Sequence, residues 1–216
     1  MAIPLARKYS SQGGSRSRFY KVLSATGYTD VTPYSEQTFL VQPSQKTDSK
    51  RKAMVINGEV ILDIESLEHP AACWWHNALW IAYRMPTSQA VATRVDFTPD
   101  LRGIIAPRSL GTTSSDDVAM CVYGGRLFLA GIGPDRQVWL THSSDGQSFS
   151  APMGSGIFCD APVALAASGG ALFMAWMENV GTLHLARSSD GRNFADNTVS
   201  PVTQTPPALA SDDDQR

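Results

Sequence analysis

The sequence is poor in cysteine, and the cysteines that are present match no functional pattern. Three occur in 216 residues, an odd number, and none belongs to a Cys-x-x-Cys or Cys/His ligand spacing. The histidines also lack the spacing of metal ligands. We therefore predict reduced core thiols, no bound metal and no cofactor. The cysteines, each in an apolar run, are Cys73, Cys121 and Cys159.

Long hydrophobic runs are absent as well. No segment approaches the roughly 18 apolar residues of a membrane helix, and the opening residues, MAIPLARKYSSQGG, contain no apolar stretch of signal-peptide length. We expect a soluble protein without a membrane span, located in the cytoplasm or released without a classical signal peptide. A single domain of this length buries about 70% of the unfolded chain's surface, which is enough for stability without disulfides.

Charge is nearly balanced overall but unevenly placed. The net charge is −2, yet residues 1–52 carry nine Lys or Arg against three acidic residues. This predicts a basic N-terminal arm, residues 1–35, that is partly disordered and binds a protein or another acidic partner. A second interpretation is a solvated Ser/Gly/Arg leader, because no aromatic residues are interleaved with the basic ones.

What the chain does contain is an internal repeat. LTHSSDGQSF at 140–149 returns as LARSSDGRNF at 185–194, and the likeness extends upstream through the whole unit. Each copy has two apolar segments around a Gly-Gly turn, a polar loop, a third segment, and a Ser-Ser-Asp-Gly turn before a fourth segment. This order predicts a four-stranded antiparallel sheet.

Two more diverged copies precede these, marked by LWIA at Leu79 and TFLV at Thr38. The earliest lacks a first strand, and the chain ends on PALA, which resembles that missing strand. Four-stranded units that repeat about every 45 residues are typical of a β-propeller. We predict an all-β fold, a small β-propeller of four blades closed by N- and C-terminal strands that share one blade. The alternative is a two-sheet β-sandwich. The predicted propeller, at 36–213, has blades at 36–65 with 205–213, 69–108, 116–155 and 160–204.

The repeated turn resembles the Asp-box of bacterial neuraminidase-type propellers, Ser-x-Asp-x-Gly-x-Thr-Trp, which joins the third and fourth strands. The copies at 143–149 and 188–194 are one residue shorter between Asp and Gly and end in Phe. The repeat is also similar to that of bacterial propeller lectins. The resemblance implies structural turns opposite the ligand funnel. In such a turn an Asp holds backbone N–H groups and a Gly takes positive φ. These residues are Asp145, Gly146, Asp190 and Gly191.

Carboxylates at the predicted funnel are the catalytic candidates of an enzyme interpretation. Glycoside hydrolysis needs two carboxyl groups, and Glu68, Asp117 and Asp160 precede first strands. The other interpretation is that they are ordinary solvated loop residues. A sialidase is not favoured, because the chain has no early Arg-Ile-Pro stretch and no evident Tyr–Glu pair.

Sugar binding requires fewer specialised groups than sugar cleavage. An aromatic ring covers the apolar face of a pyranose, and a few polar groups bind its hydroxyls. Trp139 follows the loop that holds Asp135 and Arg136, and its counterpart His184 lies near Glu178. These are the predicted ligand-binding residues. The leading prediction is a non-catalytic, lectin-like propeller that binds a glycan or glycoconjugate. The alternatives are a glycoside hydrolase and a protein-interaction scaffold, and assembly into a homo-oligomer stays open.

Overall fold

The structure is a computed structural model, and the part of it that can be described is all-β. Among the described residues there is no helix, so none is long and apolar enough to cross a membrane. The prediction of an all-β, antiparallel fold is confirmed. Apart from one short strand, the predicted basic arm at 1–35 lies outside the described residues. The described ranges are 32–34, 37–39, 41–43, 54–56, 59–62, 70–96, 103–104, 107–178, 181–202 and 207–209.

Five short strands come first along the chain. β1 and β2 pair with each other, and β3, β4 and β5 form a separate three-stranded sheet, which we call the N-terminal sheet. The TFLV segment, predicted as one strand, is divided between β2 and β3, which belong to different sheets. The β4–β5 ladder ends at the pair Ile56 and Glu59, so two residues separate the two strands. The strands are β1 (Thr32–Tyr34), β2 (Gln37–Phe39), β3 (Val41–Pro43), β4 (Met54–Ile56) and β5 (Glu59–Leu62).

Sheet 1 is antiparallel, in the order β10-β8-β7-β6, and the two-residue β9 also pairs with β8. Its last strand ends at Thr113, five residues after the end of the predicted blade at 108. The register of β10 shifts between Ser109 and Thr113, where Gly111 has a φ of +72°. The strands are β6 (Ala71–Trp75), β7 (Ala78–Arg84), β8 (Gln89–Asp96), β9 (Gly103–Ile104) and β10 (Arg108–Thr113).

Sheets 2 and 3 are four-stranded and antiparallel, and their strands follow chain order from one edge to the other. Sheet 2 consists of β11 (Ala119–Tyr123), β12 (Arg126–Ile132), β13 (Gln137–Ser143) and β14 (Met153–Phe158). Sheet 3 consists of β15 (Ala164–Ser168), β16 (Ala171–Met177), β17 (Thr182–Ser188) and β18 (Ala195–Val202).

The three large sheets pack face to face in chain order. The first strand of sheet 2, β11, contacts both β6 and β15, so the sheets radiate from the side on which their first strands meet. One apolar cluster, which includes Trp80 and Leu129, fills the space between sheets 1 and 2. A second, which includes Phe128 and Met174, lies between sheets 2 and 3. This arrangement is that of a propeller-like fold.

The C-terminal segment predicted to close the ring is described only in part. Residues 207–209 lie in no strand, and the rest of 205–213 lies outside the described residues. Closure of the ring therefore stays a prediction.

The Ser-Ser-Asp-Gly turns of sheets 2 and 3 have the same internal hydrogen bonds. Asp145 Oδ1 accepts from the backbone N–H groups of Gln147 and Ser148, at 2.8 and 3.0 Å. Ser143 Oγ accepts from the N–H of Gly146 at 2.8 Å. The turn after β17 repeats each of these bonds around Asp190 and Ser188. Each turn is thus held by its own serine and aspartate.

Each of these turns also packs on aromatic residues of the preceding sheet. Gly146 lies against the indole of Trp80, and Gly191 lies against the ring of Phe128. The Tyr123 hydroxyl donates to the carbonyl of Ser189 at 2.6 Å, which ties the second turn to sheet 2. The turns therefore join neighbouring sheets as well as neighbouring strands.

The turn carboxylates should make stability depend on acid pH. Backbone N–H groups hold the pKa of both below the usual Asp value, chiefly those of Ser148 and Gln147 at Asp145 and those of Asn193 and Arg192 at Asp190. A carboxyl whose pKa is lower in the folded state stabilises it above the unfolded pKa of about 4, and this contribution is lost as pH falls through the folded value. We expect Tm to fall below about pH 4, and less steeply for Asp190→Asn, which keeps the acceptor oxygen without the charge. Thermal melts of the wild type and of Asp190→Asn across this pH range measure the two Tm profiles. Identical profiles would contradict a contribution of the Asp190 charge to stability.

Candidate functional site

The loop between β12 and β13, residues 133–137, is a closed turn with a residue other than glycine in the left-handed region. Gly133 N–H donates to the Gln137 carbonyl at 2.8 Å, and Arg136 N–H donates to the Gly133 carbonyl at 2.9 Å. Asp135 Oδ1 accepts from Gln137 N–H at 3.1 Å. Arg136 has a φ of +68°, whereas Gly181 has the corresponding conformation in sheet 3. Arg136 therefore occupies a backbone position that glycine would adopt more readily.

This conformation directs Arg136 toward the chain that leads into sheet 3. Its carbonyl accepts from Cys159 N–H at 3.1 Å. Its guanidinium forms a two-point ion pair with Asp160, in which Nε contacts Oδ1 and Nη2 donates to Oδ2. Both side chains remain partly exposed. The structure thus brings together Arg136, a predicted binding residue, and Asp160, a predicted catalytic candidate.

An exposed aromatic residue precedes Asp160 by two positions in the chain. Phe158, at the end of β14, is 57% exposed and is the only large apolar residue with an exposed side chain in the part of the structure described at that level. It is directly opposite Gln137 in the β13–β14 ladder, so the two side chains share one face of the sheet. The amide of Gln137 lies over Gly154, which has no side chain to cover it. We call Arg136, Gln137, Phe158 and Asp160 the loop-end site.

Cys159 is not a nucleophile in this environment. Burial raises the pKa of its thiol to about 11, and the nearby carboxylates of Asp160 and Asp116 contribute in the same direction. A thiol with this pKa is protonated at neutral pH and unreactive. Burial likewise raises the pKa of Cys121 to about 12.

The predicted aromatic platform, Trp139, is corrected by the structure. Its indole is only 5% exposed and belongs to the cluster between sheets 1 and 2. Its Nε1 donates to the Thr113 carbonyl at 3.1 Å. The ring fits there because its ladder partner is Gly131, which leaves the space that a side chain would fill. Trp139 is therefore a core residue and offers no surface for stacking a sugar.

The second predicted position, His184 with Glu178, forms a contact but not an open site. His184 is buried and stacks on Trp176, with ring centroids 5.0 Å apart. Its Nε2 lies 3.5 Å from Oε1 of the exposed Glu178. Sheet 3 thus places a Trp–His pair where sheet 2 places Gly131 and Trp139. Only Glu178 of this pair is available to a ligand.

Of the three catalytic candidates, the structure describes Asp117 and Asp160. Glu68 lies outside the described residues. Asp160 is engaged by Arg136 through both oxygens. Asp117 is half-buried, and its N–H donates to Asp116 Oδ1 at 2.9 Å. Where the structure is described, no group of three or more His, Cys, Asp or Glu side chains could hold a metal ion.

The comparisons with known proteins agree with this architecture. No protein-family model matches the sequence, and no curated protein matches it. Solved structures do match. SapL1 lectin in complex with alpha methyl fucoside has a TM-score of 0.59 at 12% identity, over 86% of this chain and 70% of that one. The catalytic domain of Coprinopsis cinerea GH62 alpha-L-arabinofuranosidase has a TM-score of 0.54 at 9% identity, over 85% and 73%.

A third match extends over nearly the whole chain. Trypanosoma rangeli sialidase in complex with the inhibitor DANA has a TM-score of 0.53 at 10% identity, over 96% of this chain and 46% of that one. At such low identity, these similarities establish the fold and not the activity. The chain therefore shares a propeller-type, all-β fold with proteins that bind or cleave carbohydrates.

Proposed function

We propose that the protein is a lectin-like propeller that binds a glycan at the loop-end site without cleaving it. The observation that carries the proposal is the exposed ring of Phe158, two positions before the Asp160 that pairs with Arg136. A flat ring covers the apolar face of a pyranose, while guanidinium, carboxylate and amide groups exchange hydrogen bonds with its hydroxyls. Phe158 and Asp160 are two residues apart, and Gln137, the ladder partner of Phe158, directly follows Arg136.

The state of Asp160 favours binding over hydrolysis. A general acid or a nucleophile needs a carboxyl oxygen directed at the reacting atom. Both oxygens of Asp160 are instead held by the Arg136 guanidinium, which fixes their orientation and leaves each a lone pair that can accept from a hydroxyl. A sugar hydroxyl, by contrast, accepts from an exposed guanidinium N–H and donates to a carboxylate that is already paired.

The same proposal includes a complete ring. We infer that the N-terminal sheet and residues 205–213 together form a fourth blade beside sheet 3. The inference rests on a strand that the earliest repeat lacks. The N-terminal sheet has three strands, β3, β4 and β5, and the C-terminal segment resembles the first strand of a repeat in sequence. A ring closed in this way leaves no sheet face uncovered.

The binding proposal is tested by a glycan array followed by titration of the best ligand. Phe158→Ala should weaken binding roughly five- to tenfold, because ring stacking on a sugar contributes about 1–1.4 kcal/mol. Phe158→Leu, which keeps apolar bulk but loses the flat ring, should give an intermediate affinity. Arg136→Gly removes the guanidinium and suits the positive φ of this position, so it should weaken binding without unfolding the loop.

The matched control is Arg108→Gln, an exposed arginine that donates to Gln147 near the Ser-Ser-Asp-Gly turn. It should bind like the wild type. Equal affinity of Phe158→Ala and the wild type would contradict the proposed site, and a blank array would contradict glycan binding. Release of chromophore from a glycosidase substrate panel, abolished by Asp160→Asn, would establish the hydrolase alternative instead.

A further inference from the structure

Three nitrogen-bearing side chains converge where the turn of sheet 3 packs on sheet 2. His142, on β13, stacks on Phe128 with ring centroids 5.1 Å apart and an interplanar angle of 18°. Gly191 packs against the same Phe128 ring, and the next residue, Arg192, is close enough to His142 to lower the pKa of its imidazole. Arg126, at the start of β12, has its Nη1 3.4 Å from His142 Nε2. We call Arg126, His142 and Arg192 the basic cluster.

The hydrogen bonds of His142 define its neutral form. An arginine side chain has no acceptor, so Nε2 of the neutral imidazole accepts from Arg126. The proton is then on Nδ1, which lies 3.2 Å from Ser150 Oγ and donates to it. A protonated His142 would instead direct an N–H group from Nε2 toward the guanidinium. The neutral form of His142 therefore satisfies both ring nitrogens without an anion.

The side chains of the basic cluster are all cationic or basic, and the carboxylate recorded next to them is that of Asp190, whose Oδ1 accepts from the backbone N–H of Arg192 at 2.8 Å. Both guanidinium groups are exposed, and within the described residues neither forms an ion pair with a carboxylate. Burial, then Arg126, then Arg192 lower the pKa of His142. These are the charged groups that act on the imidazole from β12 and from the turn after β17. The basic cluster is therefore partly shielded from water, and its electrostatic potential favours a negatively charged group.

The repeat supplies an internal comparison for this cluster. At the interface of sheets 1 and 2, the positions corresponding to Arg126, His142 and Arg192 hold a different set of residues. That turn packs on Trp80 as the other packs on Phe128, so two guanidiniums around a histidine are not needed for docking. The corresponding residues are Ala78, Arg94 and Gln147.

We propose that the basic cluster is a binding site for a tetrahedral oxyanion, a sulfate or phosphate group, at the interface of sheets 2 and 3. Guanidinium N–H groups match the oxygens of such an anion, and His142 adds a third N–H donor once it is protonated. The site lies near the Ser143 end of β13, whereas the loop-end site lies at its Gln137 end. It is thus separate from the proposed glycan site and does not depend on it.

The test is an NMR titration of the histidine ring protons in sodium sulfate and in sodium chloride at matched ionic strength. A bound anion stabilises the imidazolium, so the apparent pKa of His142 should be higher in sulfate by roughly half a unit or more. The ring protons of His76, between β6 and β7 of sheet 1, are the internal control for general salt effects. Equal titration of His142 in the two salts would overturn the proposal.

Variants separate a specific site from a general salt effect. In the double variant Arg126→Gln with Arg192→Gln, the difference between sulfate and chloride should disappear, while Arg108→Gln should keep it. Persistence of the difference in the double variant would overturn the assignment. Ring-current shifts of the Phe128–His142 stack report in the same spectra that each variant remains folded.

A last comparison identifies the source of the anion. Glucose 6-sulfate is titrated against inorganic sulfate, with glucose as the uncharged control. A response at lower concentration for the sulfate ester supports a sulfated glycan as the ligand, and equal responses support a free oxyanion. A response to glucose alone, equal to that of the ester, would contradict an anion site.

Discussion

Gly146→Ala should lower the free energy of unfolding by about 2–5 kcal/mol, a large effect for the addition of one methyl group. An alanine at φ of +68° adopts a backbone conformation that costs about 1–2 kcal/mol. Its Cβ would also overlap the Trp80 indole and lie 3.3 Å from Trp75 Cζ3, and overpacking of this kind costs about 1–3 kcal/mol. Gly191→Ala should behave alike, since its Cβ would lie 2.7 Å from Phe128 Cζ.

The chain offers controls with the same backbone strain and no overlap. Gly125 and Gly170 have φ of +72° and +71°, and a Cβ at either would have no neighbour within 4 Å. Alanine at these positions should cost about 1–2 kcal/mol, the backbone contribution alone. Urea denaturation measures all four variants. If Gly146→Ala is no less stable than Gly125→Ala, the turn does not hold sheets 1 and 2 together.

Deletion of residues 204–216 should lower Tm by roughly 10 °C or more. If this segment completes a blade with the N-terminal sheet, its loss uncovers a sheet edge and apolar side chains worth about 3–5 kcal/mol, and each kcal/mol shifts Tm by about 2–4 °C at this size. We also expect the thermal unfolding transition of the truncated protein to broaden, as a sign that the ring is no longer closed. Differential scanning calorimetry measures both quantities.

The control for this deletion is removal of residues 214–216 alone, which lie beyond the predicted strand. That protein should melt like the full chain. Equal Tm values for the two truncated proteins and the full chain would contradict a closing strand in 205–213.

The repeat made most of the strand order predictable, because apolar segments and Gly-containing turns recur at fixed spacing. The first strands β6, β11 and β15 and the turns at Gly146 and Gly191 follow directly from it. The end of sheet 1 could not be predicted from the repeat, because β10 continues to Thr113 through a register shift near Gly111. Local patterns do not reveal where a strand bulges and resumes.

The binding residues were harder to predict, because the exposure of a strand residue depends on its partner in the neighbouring strand. Alternation indicates that Trp139 points to one face, but whether that face is covered depends on Gly131, its ladder partner across the sheet. Phe158 was missed because GIFC reads as one apolar run. Alternating burial places Ile157 inward and Phe158 outward, and the glycines at 154 and 156 were the available signal of an open face.

The proposed function requires that a glycan bind against Phe158 and dissociate uncleaved. Saturation-transfer difference NMR with the best array ligand tests both points in one sample. The wild type should transfer saturation mainly to the C–H protons on one face of a sugar ring, Phe158→Ala should lose most of that transfer, and the ligand spectrum should be unchanged after a day. Undiminished transfer in Phe158→Ala, or the appearance of a free reducing sugar, would contradict the account.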